Sequence, residues 1–174
     1  MSLWKQLRAI FFLPVLVMVI VPALILFFGE MNFAWGLAAP WFWVVIAWGG
    51  LCIAAGLWLF VQTVPLLARV GQGTLAPWDP PRRLVVRGIY RYVRNPMISG
   101  VTCVLFGETL LLGSIGMLVW CLFFVLANVL YIPRAEERGL EERFGADYAL
   151  YKKNVPRWIP RRTAWELPND AVKP

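Results

Sequence analysis

The chain of 174 residues contains no histidine. That absence removes the imidazole general base, the Ser-His-Asp constellation and His-ligated zinc or haem. Charge is scarce as well: Asp, Glu, Lys and Arg make up 16% of residues, against 60% hydrophobic ones. So few charges cannot clothe an ordinary water-soluble globule. Cysteine is limited to Cys52, Cys103 and Cys121, each inside an apolar run and none in CxxC spacing. This pattern argues against a disulfide framework and against a thiolate metal site, and reads as small packing residues.

What is present is apolar and aromatic. Ten Trp, 11 Phe and a mean hydropathy of +0.64 point to a chain whose main solvent is a bilayer. Because about 20 helical residues cross a hydrocarbon core, with about 17 as the lower limit, four segments qualify as spans. They are residues 10–28, 41–64, 97–113 and 115–132. The predicted architecture is a single all-α membrane domain over residues 1–174, with four transmembrane helices, a loop over 65–96 and a C-terminal helical region over 133–174. Only Gly113-Ser114 separates the last two spans, which predicts a tight antiparallel hairpin. A cleaved secretory signal over residues 1–28 is disfavoured, since the apolar run exceeds the usual 7–15 residues or so.

A net charge of +7 would suit nucleic acid if the basic residues formed one face, but they flank the apolar spans instead. Lys5 and Arg8 precede the first span, six Arg lie between the second and third, and nine Lys or Arg follow the fourth. None falls in the two opposite loops, so the positive-inside rule places both termini and the middle loop in the cytoplasm. Trp35, Trp41 and Trp43 then suit the outer interface, and Trp4, Trp78 and Trp158 the inner one.

Gly71-Gln72-Gly73 lacks a preceding strand and reads as a flexible turn rather than a phosphate loop. Pro77, Pro80 and Pro81 forbid a continuous helix and lay the chain along the membrane surface as far as Arg87. Asn95-Pro96 is a helix start, with Asn favoured as N-cap and Pro at the first helical position. Its free N–H groups and positive dipole end, beside Arg91 and Arg94, suit a carboxylate or phosphate. The hairpin returns the chain to the same side, so Glu136 and Glu137 are expected to meet that helix start. Glu136, Glu137, Glu141 and Glu142, interleaved with Arg134, Arg138 and Arg143, equally suit a solvated helix laced with ion pairs. Tyr148 and Tyr151 can share a helix face, and Pro156 and Pro160 turn the chain back as a lid.

Three features within the spans have two readings each. Gly100, Cys103 and Gly107 allow either close helix packing or an acceptor groove, with packing preferred. Glu108 lies about 18 Å along the helix from Pro96, too deep for the proposed pocket, and is read as packing or hydration near the outer leaflet. Asn128, about 6 Å from the inner end of its helix, either orients cofactor or acceptor or bonds a neighbouring helix.

Two blocks, GIYRYVRNPMISG over 88–100 and AEERGLEERFGADYALYKKNVPRWIP over 135–160, resemble the isoprenylcysteine carboxyl methyltransferase and phospholipid methyltransferase superfamily of integral-membrane enzymes. The likeness rests on an R-(H/N)-P helix start followed by glycine, an EE pair after the next span, then FG-x-x-Y-x-x-Y and VPR-x-x-P, in that order. It covers roughly the C-terminal half. Many relatives carry His where Asn95 stands and a Tyr where this chain has Ile98. The resemblance implies S-adenosylmethionine bound at the cytoplasmic end of the hairpin and an acceptor arriving from the bilayer. It implies a first group of cofactor-binding residues, Tyr90, Arg94, Asn95, Pro96 and Gly100, and a second, Glu136, Glu137, Tyr148 and Tyr151, with Pro156 and Arg157 matching the last motif. Candidates for direct catalytic roles are Arg94, Asn128 and Glu137, and no metal is implied.

The expected activity is therefore methyl transfer to a lipidic or membrane-partitioned acceptor such as a prenylcysteine carboxylate or phospholipid amine, with membrane lipid and no nucleic acid as partners. Two alternatives are an NADPH-dependent membrane sterol or enone reductase, and a non-enzymatic scaffold whose arginines bind anionic lipid.

Overall fold

The computed structural model describes residues 12–71 and 81–167, and within them every regular element is helical. Five helices follow one another: α1 (Phe12–Phe28), α2 (Trp41–Leu66), α3 (Pro96–Leu112), α4 (Ile115–Tyr131) and α5 (Glu137–Asn154). Trp4, Lys5, Arg8, Gln72, Gly73, Pro77, Trp78, Pro80 and Lys173 lie outside the described residues.

Two helical stretches are long and apolar enough to cross a membrane. Trp41–Gly71 reaches a mean hydropathy of 2.3 and Ile115–Asn154 reaches 2.4, with only 11% and 17% of those apolar windows buried. Helices so apolar yet so uncovered present their side chains to a non-aqueous solvent. Helices α1 and α3 are apolar but shorter.

Two boundaries differ from the sequence reading. The second helix does not stop at Val64: it runs through Pro65 to Leu66 and then opens into a π turn, Leu67–Gly71. The fourth does not end at Ile132 either, because a π turn over Ile132–Glu136 carries it without interruption into α5. A third π turn, Leu16–Ile20, lies within α1. Each contains a proline or has one two residues away: Pro65 before Leu67–Gly71, Pro133 within Ile132–Glu136 and Pro22 after Leu16–Ile20. Proline lacks the N–H for the bond four residues back and its ring crowds that carbonyl; for Pro22 that carbonyl belongs to Met18, inside the widened turn, which relieves both. In α1 the widened turn lets the Val17 carbonyl accept a bond from Trp120 Nε1 at 3.1 Å, tying α1 to α4.

The tightest packing joins α2 to α3. A Cβ on Gly56 would stand 2.4 Å from the Gly100 carbonyl oxygen, and one on Gly107 would stand 2.6 Å from that of Gly49. The paired glycines are seven residues apart on each helix and run in opposite order, so the backbones meet along an antiparallel seam. This is packing, the preferred reading of Gly100 and Gly107. The α3–α4 hairpin forms as expected, closed by Gly113 at φ 54°. A side chain there would be strained and would also strike the Asn32 carbonyl oxygen, 1.9 Å from an ideal Cβ. Val101 and Leu105 of α3 pack against Cys121 of α4 in the hairpin core.

Candidate functional site

The first motif is built on α3. A 3-10 turn over Gly88–Arg91 buries Tyr90 beside Leu67, Val85 and Met97, and the chain then enters α3 at Pro96. The Asn95 carbonyl accepts from the Ser99 N–H and the Ser99 hydroxyl, both at 3.1 Å. Its side chain does not cap the helix as the sequence suggested, and Asn95 Nδ2 is buried without a partner among the described residues. Arg94 Nε is buried and unpartnered as well.

The second motif meets the first through one carboxylate. Glu137 Oε1 accepts from Arg94 Nη1 and from Arg157 Nε, each at 2.7 Å. Glu137 Oε2 accepts from Arg157 Nη2 at 2.9 Å, and Lys152 Nζ stands 3.4 Å away. Burial pushes the Glu137 carboxyl up, but the Arg157 hydrogen bond and the charges of Arg94, Arg157 and Lys152 outweigh it and leave it below the usual carboxylate range. Adjacent helical residues point about 100° apart, so Glu136 faces elsewhere and makes no ion pair among the described residues. Burial, then the nearby Glu137, raise the Glu136 carboxyl, partly countered by Arg143. The EE pair thus divides into one carboxylate committed to cations and one left free.

Tyr148 and Tyr151 share a face of α5, their ring centroids 6.1 Å apart. Arg94 Nη1 donates to the Tyr148 hydroxyl at 3.4 Å, and the Tyr151 hydroxyl donates to the Tyr90 carbonyl at 2.7 Å. Desolvation raises all three phenols, that of Tyr148 to about 12. Within α5, Gly145 adopts φ 52°, ψ −126°, backbone that only glycine enters readily, and so kinks the helix before the tyrosines.

After α5 the chain turns back as a strap. The Arg94 and Asn95 amides donate to the carbonyls of Pro156 and Arg157, at 2.9 and 3.3 Å. The Arg161 and Trp165 amides donate to Tyr92 and Arg91, each at 3.0 Å. Trp165 packs on Tyr151 with centroids 5.9 Å apart, and Arg91 is ion-paired with Glu166.

These elements enclose a cavity of about 380 Å³, within the range of small-molecule sites. Its polar end presents Arg94, Asn95, Glu136 and Tyr148, with Arg83 and Arg143 at the exposed rim. Its apolar end runs between α1, α3 and α4 along Leu13, Val17, Ile98, Val101 and Phe124. Of the residues singled out from sequence, Tyr90, Arg94, Asn95, Asn128, Glu136, Tyr148 and Tyr151 line it. Pro96, Gly100 and Glu137 do not: Pro96 is buried at the start of α3, Gly100 packs on Gly56, and Glu137 holds the cations behind the wall.

Among the described residues, Asn128 makes no bond to another helix. Its Nδ2 donates to Phe124 O of its own helix at 2.8 Å while the residue faces the cavity. Glu108 lies away from the cavity lining, with Oε2 buried and unpartnered among the described residues. Among the described residues, the expected lattice of ion pairs within α5 reduces to Arg138–Glu142 at 3.3 Å and Lys152 shared between Glu141 at 2.7 Å and Glu137 at 3.4 Å.

Sequence reading missed the contributions of Leu140, Arg143 and Phe144, and of Leu13 and Val17. The signal was periodicity: Glu136, Leu140, Phe144, Tyr148 and Tyr151 recur every three or four residues, with Arg143 three after Leu140, and so do Phe124, Asn128 and Tyr131.

Comparison with known proteins supports the motif reading. No solved structure matches the chain. Methanethiol S-methyltransferase 2 of Bradyrhizobium diazoefficiens is 34% identical over 89 residues, which is 49% of this chain. That stretch spans only 32% of the relative's own length. The phospholipid methyltransferase family profile matches residues 44–147, more than half of the chain and most of the helical frame of the cavity. Neither match favours the reductase or the scaffold, and the chain belongs to the phospholipid methyltransferase family.

Proposed function

We propose that the protein is a four-span membrane enzyme, with both termini cytoplasmic, that transfers a methyl group from S-adenosylmethionine to a membrane-partitioned acceptor. The observation that carries this reading is a single cavity with two unlike ends: buried, unpartnered donors at Arg94 Nε and Asn95 Nδ2, and an apolar cleft between α1, α3 and α4.

The residues fit such a donor. Its carboxylate and ribose hydroxyls need hydrogen-bond donors, which Arg94, Asn95 and the first turn of α3 offer at the positive end of a helix dipole. Tyr90, Tyr148 and Tyr151 offer ring faces for a sulfonium. When bound, that sulfonium supplies an electrophilic methyl group. The protein then has to align the acceptor and exclude water, and orientation alone can remove about 7–11 kcal/mol of barrier. Glu137 serves by holding Arg94 in place. Leu13, Val17 and Phe124 receive the apolar part of the acceptor from the bilayer.

The identity of the Bradyrhizobium relative brings thiols into the acceptor range beside phospholipid amines and prenylcysteine carboxylates. The test is purified protein in lipid nanodiscs, titrated with S-adenosylmethionine and then supplied with a methyl-labelled donor and a panel of alkanethiols, phosphatidylethanolamine and prenylcysteine. Saturable donor binding and label in at least one acceptor class are expected. Absence of both, or binding of NADPH in place of the donor, overturns the reading.

A further inference from the structure

We propose that Glu136 is the proton acceptor of methyl transfer, taking at a carboxylate oxygen the proton that a thiol or ammonium acceptor gives up. The proposal rests on the donor-binding reading above and deepens it, since it selects acceptors that arrive protonated.

A thiol or ammonium is a poor nucleophile until it loses its proton, so a base has to stand at the site. The chain has no histidine. Among the described residues, the ionisable groups lining the cavity are arginines, tyrosines and a single carboxylate, Glu136. Arginine stays protonated, and phenols ordinarily titrate near pH 10. The other carboxylate of the motif, Glu137, has both oxygens engaged by Arg94 and Arg157. Glu136 by contrast makes no hydrogen bond or ion pair among the described residues, and it is an exposed residue that lines the cavity. A carboxylate left without a cation beside a bound cation would be wasteful as architecture, but it is what a base requires.

The charges facing it set its working range. Tyr90 and Arg94 approach from the segment before α3, Tyr131 from α4, and Arg143 and Tyr148 from α5, with Glu137 beside it and Arg83 at the rim. Burial and Glu137 raise its carboxyl, bringing the base closer to neutral pH, where proton transfer is most effective. In the step itself the acceptor's S–H or N–H bond breaks as the proton moves to a Glu136 oxygen. The freed electron pair forms the new S–C or N–C bond, and the electrons of the cleaved methyl–sulfur bond stay on the departing neutral thioether. Glu136 then returns its proton to water through the cavity.

The experiment uses the full chain in phosphatidylcholine nanodiscs, with S-adenosylmethionine affinity measured calorimetrically and turnover measured on alkanethiols of graded acidity. Glu136→Gln is expected to lower kcat about 10²- to 10⁴-fold near pH 7 while changing donor affinity by a far smaller factor. The defect should shrink with more acidic thiols and with rising pH, and the protonated-carboxyl infrared band that grows on acidification should lose one component in the variant relative to wild type. Glu136→Ala gives a second handle, because added formate should restore part of its turnover. Unchanged kcat, a parallel loss of donor affinity, an equal defect for every thiol, or no rescue by formate each overturns the assignment. Failure of the wild type to bind the donor would instead overturn the methyl-transfer reading itself.

Discussion

Arg94 Nη1 lies 2.7 Å from Glu137 Oε1, with the two side chains only 8% and 3% exposed. The pair is asymmetric in its dependence. Glu137 keeps Arg157 and Lys152 if Arg94 is lost, whereas Arg94 has no second carboxylate within reach among the described residues. Replacing Glu137 by Gln therefore strands a buried cation and should cost about 3–5 kcal/mol, read as thermal unfolding of purified protein in detergent. The folded-state carboxyl of Glu137 titrates below its unfolded value of about 4.3, so its stabilisation is present above that pH and is lost as pH falls through the folded value.

The neighbouring substitution should have the opposite sign. The Glu136 carboxyl is raised in the folded state, so its charged form opposes folding above the folded value. Glu136→Gln is expected to unfold at a slightly higher temperature than wild type at neutral pH, the gain being small because the residue is exposed to solvent. That gain should fade as pH falls toward about 4.3, where the wild-type side chain is also neutral. A lower melting temperature at neutral pH would contradict the division of labour within the EE pair.

Arg94→Gln separates binding from folding, since Glu137 retains two cations. Loss of a charge-assisted contact should weaken S-adenosylmethionine binding by about 1.5–3 kcal/mol, with a melting temperature shifted far less than by Glu137→Gln. Calorimetric titration beside a thermal melt checks both halves of the statement.

The α2–α3 seam predicts a sharp contrast between two glycines one turn and a half apart. Gly56→Ala would drive a Cβ to 2.4 Å from the Gly100 carbonyl and 2.9 Å from the Val104 amide, neither of which is a flexible side-chain end. It should destabilise by about 1–3 kcal/mol, as overpacking does. Gly50→Ala meets nothing within 4 Å and should be neutral or slightly stabilising in the same melt.

Much of this arrangement was legible in the sequence because it was encoded locally. Asn95-Pro96 marked the start of α3, Gly113-Ser114 marked the hairpin, and hydropathy marked the apolar helices. What stayed illegible depended on direction and on distant partners. The sequence placed Glu136 and Glu137 together, but only a helical path through the Ile132–Glu136 turn decides that one faces Arg94 and the other the cavity. The extension of α2 past Val64 was hidden because Pro65 normally signals an end, and a widened turn absorbed it. Gly100 looked like a wall of the site, and its partner Gly56 lies 44 positions earlier, beyond any local pattern.

The strap carries its own test. Trp165 packs on Tyr151, whereas Glu166 meets Arg91 from a side chain 75% exposed. Trp165→Ala should lower stability by roughly 2 kcal/mol, short of the 3–5 kcal/mol or so of a fully buried Trp, and should speed hydrogen exchange at the Arg94 and Asn95 amides. Glu166→Ala should change neither measurably, as expected of an exposed ion pair.

The helical stretch Ile115–Asn154, continuous as far as the kink at Gly145, joins two environments in one member. Its first half is steered by lipid, because an apolar rod tilts until its length suits the surrounding acyl layer. Its second half carries the wall on which Glu136, Tyr148 and Tyr151 are mounted. Acyl-chain length in the host membrane thereby acquires a lever arm into the chemistry, and a thinner or thicker leaflet pair would tune the gap across the cavity without touching a single residue that lines it.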